Sequence, residues 1–219
     1  LSHRLGVGDT PFQIKIEVPK KRFKLYKDSL SEKPAFIKDN YSMLYNVPVM
    51  LDLIKESMVG IIGGKNKEGA IEVAKLLSAQ LAANNCYTDL KLVYIYDGSN
   101  SSDFSRWGFA KWLPHVWSED KKTRFVASGK EEASDVFYEL TKIFRTRMER
   151  SEGASKEEIP KPYYVVFVSD ISVLTGEPFS KYVFDHSKEC GLTTFLLVER
   201  YEELPNDCEF IIENTERFH

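Results

Sequence analysis

At 219 residues, 42% hydrophobic and with a net charge of -3, the chain can bury one full core and carries no low-complexity tract that would keep it unfolded. The acidic balance argues against a general grip on nucleic acid, whose affinity comes largely from lysines and arginines that neutralise phosphates. No apolar run approaches the roughly 18 residues that a membrane helix needs, and no signal peptide opens the sequence.

Phe12 to Val18 alternates, with Phe12, Ile14, Ile16 and Val18 on one side and Gln13, Lys15 and Glu17 on the other, which predicts a half-buried antiparallel strand closed by Pro19. Lys20 to Tyr45 is polar, aromatic and irregular, and Tyr45 to Leu53 gives a second extended segment. Residues 1–54 therefore read as a β-rich appendage, and the start at Leu1 rather than Met reads as a piece of something longer.

From residue 55 the pattern changes to short apolar strands separated by helices, the signature of βαβ units and a mostly parallel sheet. Strands are expected at Val59–Ile62, Lys91–Tyr96, Arg124–Ala127, Tyr163–Val168, Thr194–Val198 and Cys208–Ile212. Helices are expected over Glu68–Asn84, with Ile71, Ala74, Leu77, Ala79 and Leu81 apolar, and over Glu131–Arg150, with Val136, Phe137, Leu140, Ile143 and Phe144 apolar. A polar, glycine-bearing loop from Ser151 to Pro160 and Pro162 ends the second helix. The fold class is three-layer α/β. Cys86, Cys190 and Cys208 have no paired spacing, which points to free thiols rather than a disulfide scaffold or a zinc site.

Met58 to Asn85 reads as strand, glycine-rich turn and long helix, the layout that cradles phosphates in P-loop enzymes. Laid over G-x-x-x-x-G-K-[ST], Gly64 and Gly69 fit, but Ala70 stands in the lysine position and Ile71 in the hydroxyl position. An ammonium on the phosphates and a hydroxyl on magnesium are each worth roughly 1.5–3 kcal/mol. Losing both weakens binding by about two to four decades, at about 1.4 kcal/mol per decade. Lys65 and Lys67, inside the turn, are the candidate substitutes, although a loop lysine loses side-chain entropy to reach the same point.

Pro162 to Asp170 is a second apolar strand ending in an acid, and this stretch resembles the proline-tyrosine strand of the FtsK/SpoIIIE translocases that leads to Asp-Glu. Counted without a gap, Ser169 falls on the magnesium aspartate and Asp170 on the catalytic glutamate. A one-residue shift would restore the acid but turn the strand's apolar set around. Asp170 can equally cap the turn that follows. Cys190 to Arg200 resembles the glycine-led strand that ends in a threonine-glutamine phosphate sensor, and Val198-Glu199 stand there instead. A carboxylate facing a γ-phosphate repels it.

With Asn46-Val47-Pro48-Val49, Trp112 to Trp117, Asp135 to Leu140 and Glu199 to Pro205, the chain resembles over its whole length the degenerate, first ATPase-like domain of EssC/YukB-type membrane ATPases of type VII secretion. The resemblance implies a P-loop-like fold at the cytoplasmic face of the membrane, with no insertion by this segment. The implied partners are the other ATPase modules of the same polypeptide and the membrane components, with an oligomer in the full-length protein. It implies a non-catalytic role in assembly or regulation; the missing lysine, hydroxyl and magnesium aspartate point to no cofactor beyond weak ATP with magnesium and no bound metal, and the acidic balance to no nucleic acid. Two rivals stay open: a working nucleoside triphosphatase using Lys65 or Lys67 on phosphate and Asp170 on magnesium, and a DNA-translocating module.

Weaker signals carry blander readings. Trp107, Trp112 and Trp117 around His115 read as packing of a long connection, with a docking surface as the alternative. Lys142, Arg145, Arg147 and Arg150 sit where a helix C-terminus favours cations.

Overall fold

The computed structural model describes residues 1–12, 14, 17–18, 30, 32–98, 105–151, 159–185, 187–208 and 210–215. The chain divides into two compact units, Ser2–Leu51 and a second formed by Leu1 with everything from Asp52 onward.

In the first unit, strand β1 (Ser2–Pro11) and strand β2 (Met43–Asp52) form a small antiparallel sheet, with helix α1 (Lys33–Asn40) between them in sequence. The amide of Phe12 donates to the carbonyl of Ser42 at 2.9 Å, and the amide of Asn46 donates to Asp9 at 3.0 Å. The expected strand at Phe12–Val18 is displaced. The pairing run is Ser2–Pro11, and the described residues of the predicted segment, 12, 14, 17 and 18, lie outside any strand; residues 13, 15 and 16 lie outside the described set. Helix α1 falls within the stretch expected to be irregular. Its Phe36 and Ile37 are exposed and none of its residues is buried, so no apolar stripe marks it in the sequence.

The second unit is built on six parallel strands in the order β5-β4-β6-β7-β3-β8. They are β3 (Met58–Ile62), β4 (Leu90–Ile95), β5 (Val126–Ala127), β6 (Tyr163–Val168), β7 (Leu192–Val198) and β8 (Phe210–Glu213). Every residue of β3, β4, β6 and β7 is buried, as expected where both faces of a parallel sheet are covered. Two helices do most of the covering, α2 (Glu68–Asn84) and α3 (Lys130–Ser151), with short helices α4 (Ser180–Phe184) and α5 (Ser187–Cys190) before β7. Much of the loop expected between α3 and β6 lies outside the described residues.

Alternation along β4 puts α2 and α3 on opposite faces. Val93 and Ile95 share a core with Val136, Phe137, Leu140 and Phe144 of α3. The intervening Tyr94 instead donates its hydroxyl to Ser78 of α2 at 2.8 Å. Ser78 in turn donates to the carbonyl of Ala74 at 2.6 Å. Tyr94 also stacks on Phe167 at 5.3 Å, and Phe167 on Phe195 at 4.9 Å, one aromatic step per strand across β4, β6 and β7. Such pairs are worth about 0.5–1.5 kcal/mol each beyond their burial. The buried stripe of α2 differs from expectation at one place: Ser78 lies inside and Ala79 outside.

This topology positions the site. The strand ending at the glycine turn, β3, is separated from β6, the strand that leads into Ser169, by β7, which ends at Val198. All three run in the same direction, so their carboxyl ends open on one edge of the sheet, where ligands bind in open α/β folds.

Candidate functional site at the carboxyl ends of three strands

The turn after β3 is built by backbone that only some residues adopt. Gly64 has φ +66° and a would-be β-carbon at Gly63 would lie 2.2 Å from the amide nitrogen of Ala70. Asn66 (φ 56°) and Lys67 (φ 55°) follow in the left-handed region, and α2 begins at Glu68. Asparagine tolerates that region and lysine does so at a cost, so the loop is held by its partners.

Those partners come from the chain itself. The Gly63 amide donates to the carbonyl of Val198 at 2.9 Å, the Lys67 amide to Gly64 at 2.9 Å and the Gly69 amide to Gly63 at 3.1 Å. The Asn66 amide donates to the Glu199 carboxylate at 2.9 Å. The Arg106 guanidinium donates to the Asn66 carbonyl at 3.2 Å and pairs with Glu68 at 3.1 Å. From the edge strand side, the Asn214 side chain donates to the Gly69 carbonyl at 3.0 Å and its backbone amide donates to Ile62 at 2.9 Å. A β-carbon at Gly69 would fall 1.7 Å from the Asn214 carbonyl oxygen. Gly69 is thus required by the close approach of 214, whatever else it does.

The sequence-derived site residues fall into three groups. Lys67 is half-buried and its ammonium donates to the backbone carbonyl of Ser169, joining the glycine turn to the end of β6; Lys65 is exposed. Ala70 and Ile71, at the lysine and hydroxyl positions, are buried at 0% and 3% exposure. The Asp170 carboxylate accepts from the Ser172 amide at 3.0 Å and caps the short 3-10 turn Ile171–Leu174. Val198 is buried at the end of β7, and the Glu199 amide donates to Glu203 at 3.3 Å. Gly64 precedes the turn and Gly69 lies in the first turn of α2. Among the described residues no three His, Cys, Asp or Glu side chains converge as a metal site.

Asn66, Arg106 and Asn214 are the residues that sequence reasoning missed. An asparagine inside a glycine turn is the one local signal, since asparagine is favoured in left-handed backbone. The other weak signals resolve individually. Trp107 is 2% exposed and Trp112 79% exposed, while Trp117 lies under the Arg124 guanidinium at 4.5 Å, so the three do not form one platform. His115 is buried, its Nε2 2.9 Å from the carbonyl of Asn85 at the end of α2. Arg147 does more than sit at a helix end. It donates to the carbonyls of Cys190 and Pro162 and packs its guanidinium 5.0 Å from the Tyr164 ring, and burial pushes its pKa down from the usual arginine value.

No family model matches the sequence. The type VII secretion system protein EssC of Staphylococcus aureus (strain NCTC 8325) is 20% identical over 220 residues, covering 99% of this chain and 14% of that protein. The ESX-5 secretion system protein EccC5 of Mycobacterium tuberculosis is 24% identical over 161 residues, covering 70% of this chain and 10% of its own length. The chain therefore spans only a small part of these relatives. Among solved structures, the cytoplasmic domain of EssC superposes with a TM-score of 0.55 at 16% identity over 78% of this chain and 35% of that one. EssC (ATPases 2 and 3) from Geobacillus thermodenitrificans gives a TM-score of 0.55 at 17% identity over 81% of this chain and 35% of its own. No helix among the described residues is long and apolar enough to cross a membrane. The parallel sheet with helices on both faces is the P-loop-like fold of those ATPase domains, and the chain is homologous to the EssC/EccC type VII secretion ATPases.

Proposed function

We propose that this domain is a non-catalytic, ATPase-like part of a type VII secretion motor, working at the cytoplasmic face of the membrane. It contributes to assembly or regulation through contacts with the other ATPase modules of the same polypeptide and with membrane components. The observation that carries this reading is the Glu199 carboxylate on the Asn66 amide at 2.9 Å. A loop amide that would otherwise face a phosphate already holds an anion, and a triphosphate brought to the same turn meets a like charge. The buried Ala70 and Ile71 and the capping role of Asp170 support the same conclusion, and together they do not fit a magnesium nucleotide.

The test is phosphate release from magnesium-ATP by the purified chain. The expected rate is that of a protein-free blank. Turnover abolished by Asp170→Ala would overturn the reading. One observation favours the rival of a working triphosphatase: the Lys67 ammonium already reaches from the glycine turn to the end of β6. Under that rival Lys67→Met abolishes phosphate release, whereas here there is no turnover for it to remove and at most weak ATP binding.

A further inference from the structure

Helix α3 buries one face on the sheet and leaves a second stripe outside it. Ser134, Tyr138, Thr141, Lys142 and Arg145 recur at three- and four-residue spacing and border a groove of about 510 Å³, closed on its far side by Glu177 and Pro178. That volume lies within the roughly 300–1,000 Å³ typical of ligand sites. Phe137 forms part of its wall and is fixed by stacking on Phe179 at 4.9 Å with the rings 9° from parallel. Tyr138 is 71% exposed, although the other aromatic residues of the same helix, Phe137 and Phe144, are buried.

Three of the polar side chains around this apolar wall lack partners among the described residues. The Thr141 hydroxyl is buried and hydrogen-bonds to nothing among the described residues. Nor do the Lys142 and Arg145 side chains make an ion pair or hydrogen bond among the described residues. An unsatisfied buried hydroxyl costs about 1–3 kcal/mol, so a partner that supplies its hydrogen bond recovers that cost. The charge is also directional. Acids dominate the first turns of α3, at Glu131, Glu132 and Asp135, and cations dominate the later turns.

We propose that this groove docks a short acidic amphipathic segment of a partner protein. One apolar side chain of the segment sits against Phe137, Tyr138 and Pro178, and its carboxylates meet Lys142 and Arg145, one of them accepting from the Thr141 hydroxyl. Glu177 and the acidic first turns repel a carboxylate placed the other way round, which fixes the direction of the segment. They also disfavour a nucleic acid, whose charge runs along its whole length. The inference is independent of whether the glycine turn binds nucleotide.

The probe is a capped synthetic peptide of about 14 residues, near the length at which an isolated helix becomes marginally stable. It carries leucines four apart and glutamates on the adjoining positions, and its control has lysine for every glutamate. Amide chemical shifts of the full chain report binding. The expected result is that the glutamate peptide shifts Thr141, Lys142 and Arg145 and the lysine peptide does not. Tyr138→Ala, and Lys142→Glu with Arg145→Glu, should each weaken binding at least tenfold with shifts elsewhere unchanged. Should the charge reversal unfold the chain, Lys142→Gln with Arg145→Gln takes its place with the same expected loss. Equal shifts from both peptides, no shift at the groove, or stronger shifts there from a single-stranded oligonucleotide would overturn the proposal.

Discussion

The Glu199 carboxylate accepts the backbone amide of Asn66 across 133 residues of sequence. This bond joins the end of β7 to the glycine turn and, with the Arg106 contact to the Asn66 carbonyl, grips one peptide from both sides. Glu199→Ala should cost about 0.5–1.5 kcal/mol, the net worth of one hydrogen bond. At about 2–4 °C per kcal/mol for a domain of this size, a thermal melt will register it. The sharper readout is hydrogen exchange at the Asn66 amide, which should accelerate in Glu199→Ala and much less in Glu199→Gln, where an acceptor remains. Unchanged exchange in Glu199→Ala would show that the bond does not hold the loop.

Gly69 and Asn214 make a second prediction. A methyl group at 69 would lie 1.7 Å from the Asn214 carbonyl oxygen, a backbone atom that cannot move without its chain. Gly69→Ala should therefore break the contact of Asn214 with Gly69 and Ile62 and loosen β8 from β3, at about 1–3 kcal/mol as an overpacking change. Exchange at the β8 amides and the urea midpoint should change together. An unaltered midpoint would return Gly69 to a role in ligand approach alone.

The core was legible because a buried parallel strand reads as a continuous apolar run and an amphipathic helix as a periodic stripe: strand Tyr163–Val168 and helix Glu68–Asn84 have the expected bounds. Elements that bury little were not. Helix α1 has no apolar stripe, and β1 lies one segment earlier than the alternation at Phe12–Val18 implied. At the site, Ser169, Val198 and Glu199 are singled out by the resemblance of their strands to the translocase pattern. Arg106 and Asn214 act through backbone contacts 40 and 145 residues away, and no short spacing in the sequence encodes those. Arg147 was read as a cation at a helix end. Its two carbonyl partners come from the 162 and 190 positions, visible only once β6 and β7 lie side by side.

Restoring the lysine and hydroxyl by Ala70→Lys and Ile71→Thr should not create an ATPase. Both positions are buried, so the new ammonium must find a path out of the core or remain unpaired. The expected result is a loss of about 2–4 kcal/mol in urea denaturation and no phosphate release above a blank, since Glu199 stays on the Asn66 amide and Asp170 on its cap. Turnover at about 1 s⁻¹ or more would mean that the rest of the site is intact.

The cysteines and tyrosines predict a response to alkali. Cys86 is exposed and accepts from the Thr88 hydroxyl at 3.2 Å, which pulls its pKa down, whereas burial pushes Cys190 up to about 12 and Cys208 up to about 11. A thiol reagent at pH 8 should consume one thiol quickly, lost in Cys86→Ser, and two more only on denaturation. Burial also raises Tyr163 and Tyr164 to about 12. These groups stay neutral in the folded chain while ionising in the unfolded one, so their contribution is complete below the unfolded values of 9.0 and 10.0 and is lost as pH rises toward about 12. Lys91, pushed down by burial, acts in the opposite sense, one group against these four. Within that window each group removes up to about 1.4 kcal/mol per pH unit. Urea midpoints should therefore be flat from pH 7 to 8 and fall steeply above pH 10, and Tyr164→Phe should soften the fall. A midpoint level through pH 11 would mean that these phenols and the Cys190 thiol ionise alike in both states.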